Sequence, residues 1–190
     1  IRKRGFLHLI DYYEHGVAEV YARGVFQVPY IVLQYCPKGN LTRVTREPQS
    51  RLSVKDAVTV VLQVGLTLKE CYTAGVFKKH GDLKPENLLI DDDGRVVITD
   101  FQTAVREQKP SKMPGTPGFY HEATDDRADV YALGKVLIEL VYGENAPESV
   151  VTGELAPLVQ ASRKKDPERM DSFLKLASRV AQRLGVLPSF

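Results

Sequence analysis

The chain has 190 residues, 43% of them hydrophobic and 26% charged, and a formal net charge of +2. That length buries the core of one domain or of a large part of one. So small a net charge argues for neither nucleic acid nor an anionic membrane surface as a partner, and the two cysteines, Cys36 and Cys71, make neither a disulfide framework nor a metal-ligand pattern.

In chain order, β-branched and aromatic residues predict strands over 6–14 (FLHLIDYYE) and 28–36 (VPYIVLQYC), connected through YARG. The stretch PKGN at 37–40 ends the second strand. Ser53 and Asp56 form a capping-box pattern, S-V-K-D, ahead of an apolar run over 57–68. This predicts a helix that is apolar nearly all round, and therefore buried, with Gly75 as its stop. The run is too short to span a membrane and is interrupted by Gln63. Leu88 to Ile90 and Val96 to Ile98 flank Asp93-Gly94, a strong hairpin signal. Asp91, Asp92 and Asp93 read as a solvated turn, because a calcium loop needs a glutamate at its twelfth position and none is there.

Residues 101–128 carry Pro110, Pro114, Pro117, Gly115 and Gly118 and read as a long irregular segment of the functional kind. A second buried helix is expected over 128–143, ended by Gly143, and an amphipathic one over 167–184. A few strands followed by mostly helix, with no linker between, predict an α+β fold. The basic pairs and runs, Lys78-Lys79 and Arg163-Lys164-Lys165, read as solvated faces. His8, His15 and His121 read as surface or strand residues, and Cys36 as a small apolar side chain. No signal-peptide pattern is visible and the chain begins at Ile1, so a soluble protein of the cytoplasm or a secreted one both fit.

The chemistry concentrates in HGDLKPENLLIDDDGRVVITDFQ, residues 80–102. With Asp93 and Gly94 as a two-residue loop, Asn87 faces Asp100 across the hairpin. An amide oxygen opposite a carboxylate suits Mg²⁺, which takes a few hard oxygen ligands and substrate phosphates. Asp82, in a loop held by Pro85, is placed to accept a proton from an incoming hydroxyl, and Lys84 to neutralise a phosphate in flight. Phosphoryl transfer needs this combination of positioning, metal and one base.

H-G-D-L-K-P-E-N followed by I-T-D-F resembles the catalytic loop and the metal-binding Asp-Phe-Gly motif of eukaryotic protein kinases. G-T-P-G at 115–118 resembles the substrate-binding end of a kinase activation segment. Asp129 in ADVYALG resembles the residue that anchors the catalytic loop, and YIVLQYCPKGNL resembles the strand and hinge around adenine. The resemblance covers roughly residues 1–143. It implies residual N-lobe strands and hinge over 1–36 and a mainly helical kinase C-lobe over 37–190. It implies catalytic roles for Asp82, Lys84 and Asn87, and metal ligation by Asn87 and Asp100. Leu33 would be the gatekeeper, Gln34 to Cys36 the hinge, and Leu89 the residue beneath adenine. Thr116 and Gly118 would meet the substrate, with Lys84 and Thr116 pointing to the Ser/Thr class. His80, packed on Phe101, and Asp129 would be structural. ATP and Mg²⁺ are the implied cofactors if the site functions, with none if it does not, and a protein is the implied substrate or partner.

The chain departs from that family in three ways. Gln102 stands where the family has Gly after Asp-Phe, and Gly81 stands where it usually has the Arg that pairs with a phosphorylated loop. No G-x-G-x-x-G and no V-A-I-K-like lysine precede the hinge. The usual Ala-Pro-Glu is reduced to Tyr120-His121-Glu122, and no Arg-Pro signature follows Gly143. These edits resemble the secreted rhoptry kinases and pseudokinases of apicomplexan parasites. They favour a pseudokinase acting as a regulatory or binding module. The first alternative is an active Ser/Thr kinase whose phosphate-gripping parts lie outside this chain. The second is a small-molecule kinase of the aminoglycoside or choline type, which His80-Gly81-Asp82 with Asn87 also resembles, although G-T-P-G and L-K-P-E-N speak against it.

Overall fold

Ser53 starts the longest helix, α2 (Val54–Thr73), in the way its sequence predicts. Its hydroxyl accepts the Asp56 N–H at 3.1 Å and donates to Asp56 Oδ2 at 2.6 Å. At the other end Gly75 takes a φ of 66°, a left-handed conformation that carries the chain off the helix. The computed structural model describes residues 8–102, 104 and 116–186. Around α2 pack α3 (Arg127–Tyr142) and α5 (Met170–Arg183), and α4 (Ala156–Arg163) lies against α3. Leu68, Leu133, Leu137, Leu158 and Phe173 are fully buried between them. The short helices α1 (Thr42–Arg46) and α4 have no counterpart among the sequence expectations. No described helix is long and apolar enough to cross a membrane.

Helices α3 and α4 meet tightly at Gly134, where an added Cβ would collide with Ser162 Oγ and lie 2.7 Å from Ser162 Cβ. Ser162 is fully buried and donates to Leu158 O at 2.9 Å, so it has nowhere to move. Gly134→Ala is therefore expected to destabilise the chain by about 1–3 kcal/mol through overpacking. Alanine's better helix propensity, worth about 1 kcal/mol in an open helix, works the other way. Urea unfolding measures the balance, and a variant more stable than the parent would refute the close approach.

Strands β3 (Leu88–Ile90) and β4 (Val96–Ile98) form the expected hairpin, but its loop is one residue longer than expected. Gly94 adopts φ 81° and its N–H reaches Asp91 O at 3.0 Å, while Asp91 N–H bonds Arg95 O at 3.0 Å. The Asp91 carboxylate also accepts Arg95 N–H (2.8 Å) and Arg95 Nε (3.0 Å), which closes the loop around Asp92, Asp93 and Gly94. Leu88 consequently faces Ile98 and Ile90 faces Val96, so Asn87 pairs with Thr99 rather than with Asp100. Burial pushes the Asp91 carboxyl up, but the Arg95 bonds outweigh it and hold the group below its usual value. Asp91 is 3% exposed, so the aspartate run is not all solvated turn.

At the other end, β1 (Tyr12–Tyr21) and β2 (Val25–Leu33) form an antiparallel ribbon, Val17 opposite Pro29 and Tyr21 opposite Val25. The strand expected over 6–14 thus begins later and runs through Gly16, Ala18 and Glu19. These are poor strand formers that cross-strand pairing recruits; residues 6 and 7 lie outside the described ones. Residues 8–10 instead line β4, with Ile98 N–H on His8 O (2.9 Å) and Ile10 N–H on Ile98 O (3.0 Å). The second strand is likewise displaced toward the turn, ending at Leu33. Among the described residues the ribbon has no third strand, which is why Pro29 is tolerated in it. Val17, Tyr21 and Ile31 are more than 60% exposed on it.

Candidate functional site

The site is built around a buried carboxylate. Asp129, in the first turn of α3, is fully buried and takes three donors: Tyr72 OH and His80 N–H at 2.6 Å each on Oδ2, and Gly81 N–H at 2.9 Å on Oδ1. Holding two successive amides with one carboxylate bends the chain so that residue 81 has φ 86°, a conformation natural to glycine. His80 is fixed from the other side. Its Nε2 lies 2.9 Å from Thr99 O, its Nδ1 accepts Asp82 N–H at 3.3 Å, and its ring meets Phe101 edge-on at 4.9 Å. That pair of bonds places its single proton on Nε2. Burial lowers the imidazole's proton affinity, against the pull of the nearby Asp129 charge.

The chain then turns through Pro85–Asn87, a 3-10 turn for which Pro85 presets φ. This turn collects four side chains. Lys84 Nζ donates to Asp82 Oδ2 and to Thr116 Oγ1, both at 2.8 Å, and Thr116 Oγ1 donates to Asp82 Oδ1 at 2.7 Å. Asn87 Nδ2 donates to Asp82 O at 2.8 Å and reaches Asp82 Oδ2 at 3.3 Å. Burial pushes the Asp82 carboxyl up, but the bonds from Lys84 and Thr116 more than offset this and hold it below its usual value. The result is a carboxylate bonded to the Lys84 amine, with a threonine hydroxyl already on it.

At the open end of the hairpin, Asn87 has spent its amide N–H groups on Asp82, and its Oδ1 accepts nothing among the described residues. Asp100, half-buried, follows the last cross-strand pair with φ 61°, a left-handed conformation that aspartate tolerates. No described residue hydrogen-bonds its carboxylate. An amide oxygen and a carboxylate, both hard and neither engaged by a described residue, would suit a magnesium ion that keeps waters and phosphate oxygens as its other ligands. Asn87 and Asp100 both lie at this end of the hairpin, although they are not the facing pair that was expected.

Residues 7–178 match the profile of the protein kinase domain. The chain belongs to the protein kinase family. Among its relatives, a probable serine/threonine-protein kinase of Corynebacterium efficiens is 33% identical over 134 residues, 64% of this chain and 20% of that protein. The serine/threonine-protein kinase CLA4 of Candida albicans is 27% identical over 125 residues, 60% of this chain and 13% of its own length. The probable serine/threonine-protein kinase drkC of Dictyostelium discoideum is 25% identical over 183 residues, 79% of this chain and 24% of that protein. The chain thus spans less than a quarter of the length of these curated relatives.

In kinase terms the fold is the α+β one expected, a mainly helical C-lobe with a few N-lobe strands. The residues just after the expected hinge are brought to β3: Ile90 N–H bonds Gly39 O at 2.8 Å, and Asn40 bridges Leu89. Gln34 is tied to Asp11 by its N–H (2.8 Å) and its Oε1 (3.3 Å), Cys36 is half-buried, and Leu33 is 39% exposed at the end of β2. Gly118, at φ 84°, offers its carbonyl to Arg163 at 3.0 Å, so it faces α4 rather than the Asp82 cluster. Gln102 is exposed. Pro110, Pro114 and Gly115 lie outside the described residues.

Two contributors were not foreseen. Tyr72 was hidden in an apolar helix, and its only sequence signal is a polar tip at the end of that run. Lys79, expected on a solvated face, is 4% exposed and donates to Ala123 O at 3.0 Å. His121 is half-buried, with Tyr131 against its ring at 5.1 Å.

Proposed function

We propose that this chain carries the catalytic loop of an ATP- and magnesium-dependent Ser/Thr protein kinase. The observation that carries the reading is the Asp82 carboxylate shared by Lys84 and Thr116, a base, a phosphate-facing cation and a substrate-side hydroxyl in mutual contact. Asp82 orients an incoming Ser or Thr hydroxyl and takes its proton, and Lys84 offsets charge on the phosphoryl group in transit. Asn87 and Asp100 would hold magnesium, which supplies charge neutralisation at the phosphate oxygens. Leu33, the hinge from Gln34 to Cys36 and Leu89 would seat the nucleotide base. Docking of Thr116 on Asp82 supports a protein substrate over a small cation. A kinase fold used as a regulatory or binding module is the second reading, supported by Gln102 and by the lack of G-x-G-x-x-G and of a V-A-I-K-like lysine ahead of the hinge within these 190 residues.

A thermal melt with ATP, with and without Mg²⁺, separates the two. At about 100 times Kd, ligand binding adds about 2.7 kcal/mol to the folded state, which raises the Tm of a chain this size by roughly 5–10 °C. The expected result is a magnesium-dependent rise that Asp100→Ala removes. No rise at millimolar nucleotide would favour the binding module.

A further inference from the structure

Lys79 is adjacent to the exposed Lys78 but is itself only 4% exposed, and no carboxylate among the described residues pairs with it. A buried amine is costly unless its donors are used, and this one is used at a particular place. Its Nζ donates to Ala123 O at 3.0 Å. Ala123 lies at the far end of the segment that begins at Thr116, and Thr116 is bound to Asp82 and Lys84. The stretch 116–123 is thus pinned at both ends to the stretch 79–84. Between the pins it is short and internally bonded: Phe119 N–H and Tyr120 N–H both reach Thr116 O, at 3.0 and 3.1 Å. Asp129 closes the ring from α3 by holding the amides of His80 and Gly81.

We propose that Lys79 is a positioning residue that holds the substrate-side segment against the catalytic loop with no phosphorylated residue in that segment. Gly81 has no side chain with which to grip a phosphate, and Lys79, two positions earlier, reaches the same segment from beneath through a main-chain carbonyl. A carbonyl is always present, so the clamp is set by folding rather than by modification. Its consequence for peptide binding rests on the phosphotransfer reading; the clamp itself does not.

Lys79→Met in the full chain keeps the length and apolar stem and removes the donor, and Lys79→Arg retains a donor. Amide hydrogen exchange at Thr116, Phe119, Tyr120 and Ala123 reads the segment directly. Lys79→Met is expected to speed exchange there by about tenfold, the loss of one hydrogen bond, with α3 amides unchanged and Lys79→Arg close to the parent. Unchanged exchange at 116–123, or equal acceleration throughout α3, overturns the proposal. Phosphatase treatment of the unsubstituted protein needs no variant to fold, and it should leave the same amides protected; a rise in their exchange overturns the proposal too. Where transfer to a peptide is measurable, Lys79→Met should raise the peptide KM and spare the ATP KM. A chain that transfers no phosphate but shows the local exchange change keeps the clamp and loses only the kinase reading.

Discussion

Asp129→Ala is expected to lower the unfolding free energy by about 3–5 kcal/mol, because it strands three donors at once, each costing about 1–3 kcal/mol when buried and unpaired. The donors are Tyr72 OH, His80 N–H and Gly81 N–H, all within 2.9 Å of a carboxylate with no exposed surface. Milder variants grade the effect. Asp129→Asn keeps one acceptor oxygen but turns an NH2 toward a donor, so it should cost less than alanine and more than Tyr72→Phe. Tyr72→Phe removes a single partner and should cost about 1 kcal/mol. Urea unfolding at constant m-value ranks the three. An alanine variant within 1 kcal/mol of the parent would mean that the catalytic loop is held by something other than α3.

Asp82→Asn is expected to leave the fold and the magnesium-dependent nucleotide shift in place and to cut phosphotransfer about 10²–10⁴-fold, the usual contribution of a positioned base. Asparagine keeps an acceptor for Thr116 or Lys84, so the turn through Pro85–Asn87 survives. It cannot take the proton of an incoming hydroxyl. Asp100→Ala should instead lose nucleotide stabilisation and transfer together, which separates a base from a metal ligand. Because Lys84 and Thr116 hold the Asp82 carboxyl below its ordinary value of 3.8, despite burial that raises it, the group stays anionic through the neutral range. The stability those bonds contribute is present above the unfolded value and is lost as pH falls through the lower folded one. A transfer rate titrating with Asp82 well above pH 3.8 would contradict this assignment.

The amino-acid sequence by itself determined the elements whose causes are local. Ser53 and Asp56 cap α2 because the two side chains are three residues apart, and Gly75 and Gly143 end helices because each turns the chain at positive φ. The spelling H-G-D-L-K-P-E-N also marked Asp82, Lys84 and Asn87 as one group, since Pro85 folds them together within a single turn.

Tertiary structure decided whatever depended on partners distant in sequence. The hairpin register slipped by one residue because the buried Asp91 captured Arg95, and that capture moved Asp100 off the position facing Asn87. The first strand was misplaced because β1 takes its register from β2, while residues 8–10 belong to β4. Lys79 read as surface beside Lys78 because charge runs usually are. It is buried because Ala123, 44 residues away, brings a carbonyl to it. Local rules read the chain one turn at a time, and a hydrogen bond across that separation forms only where the tertiary fold brings Ala123 beside Lys79.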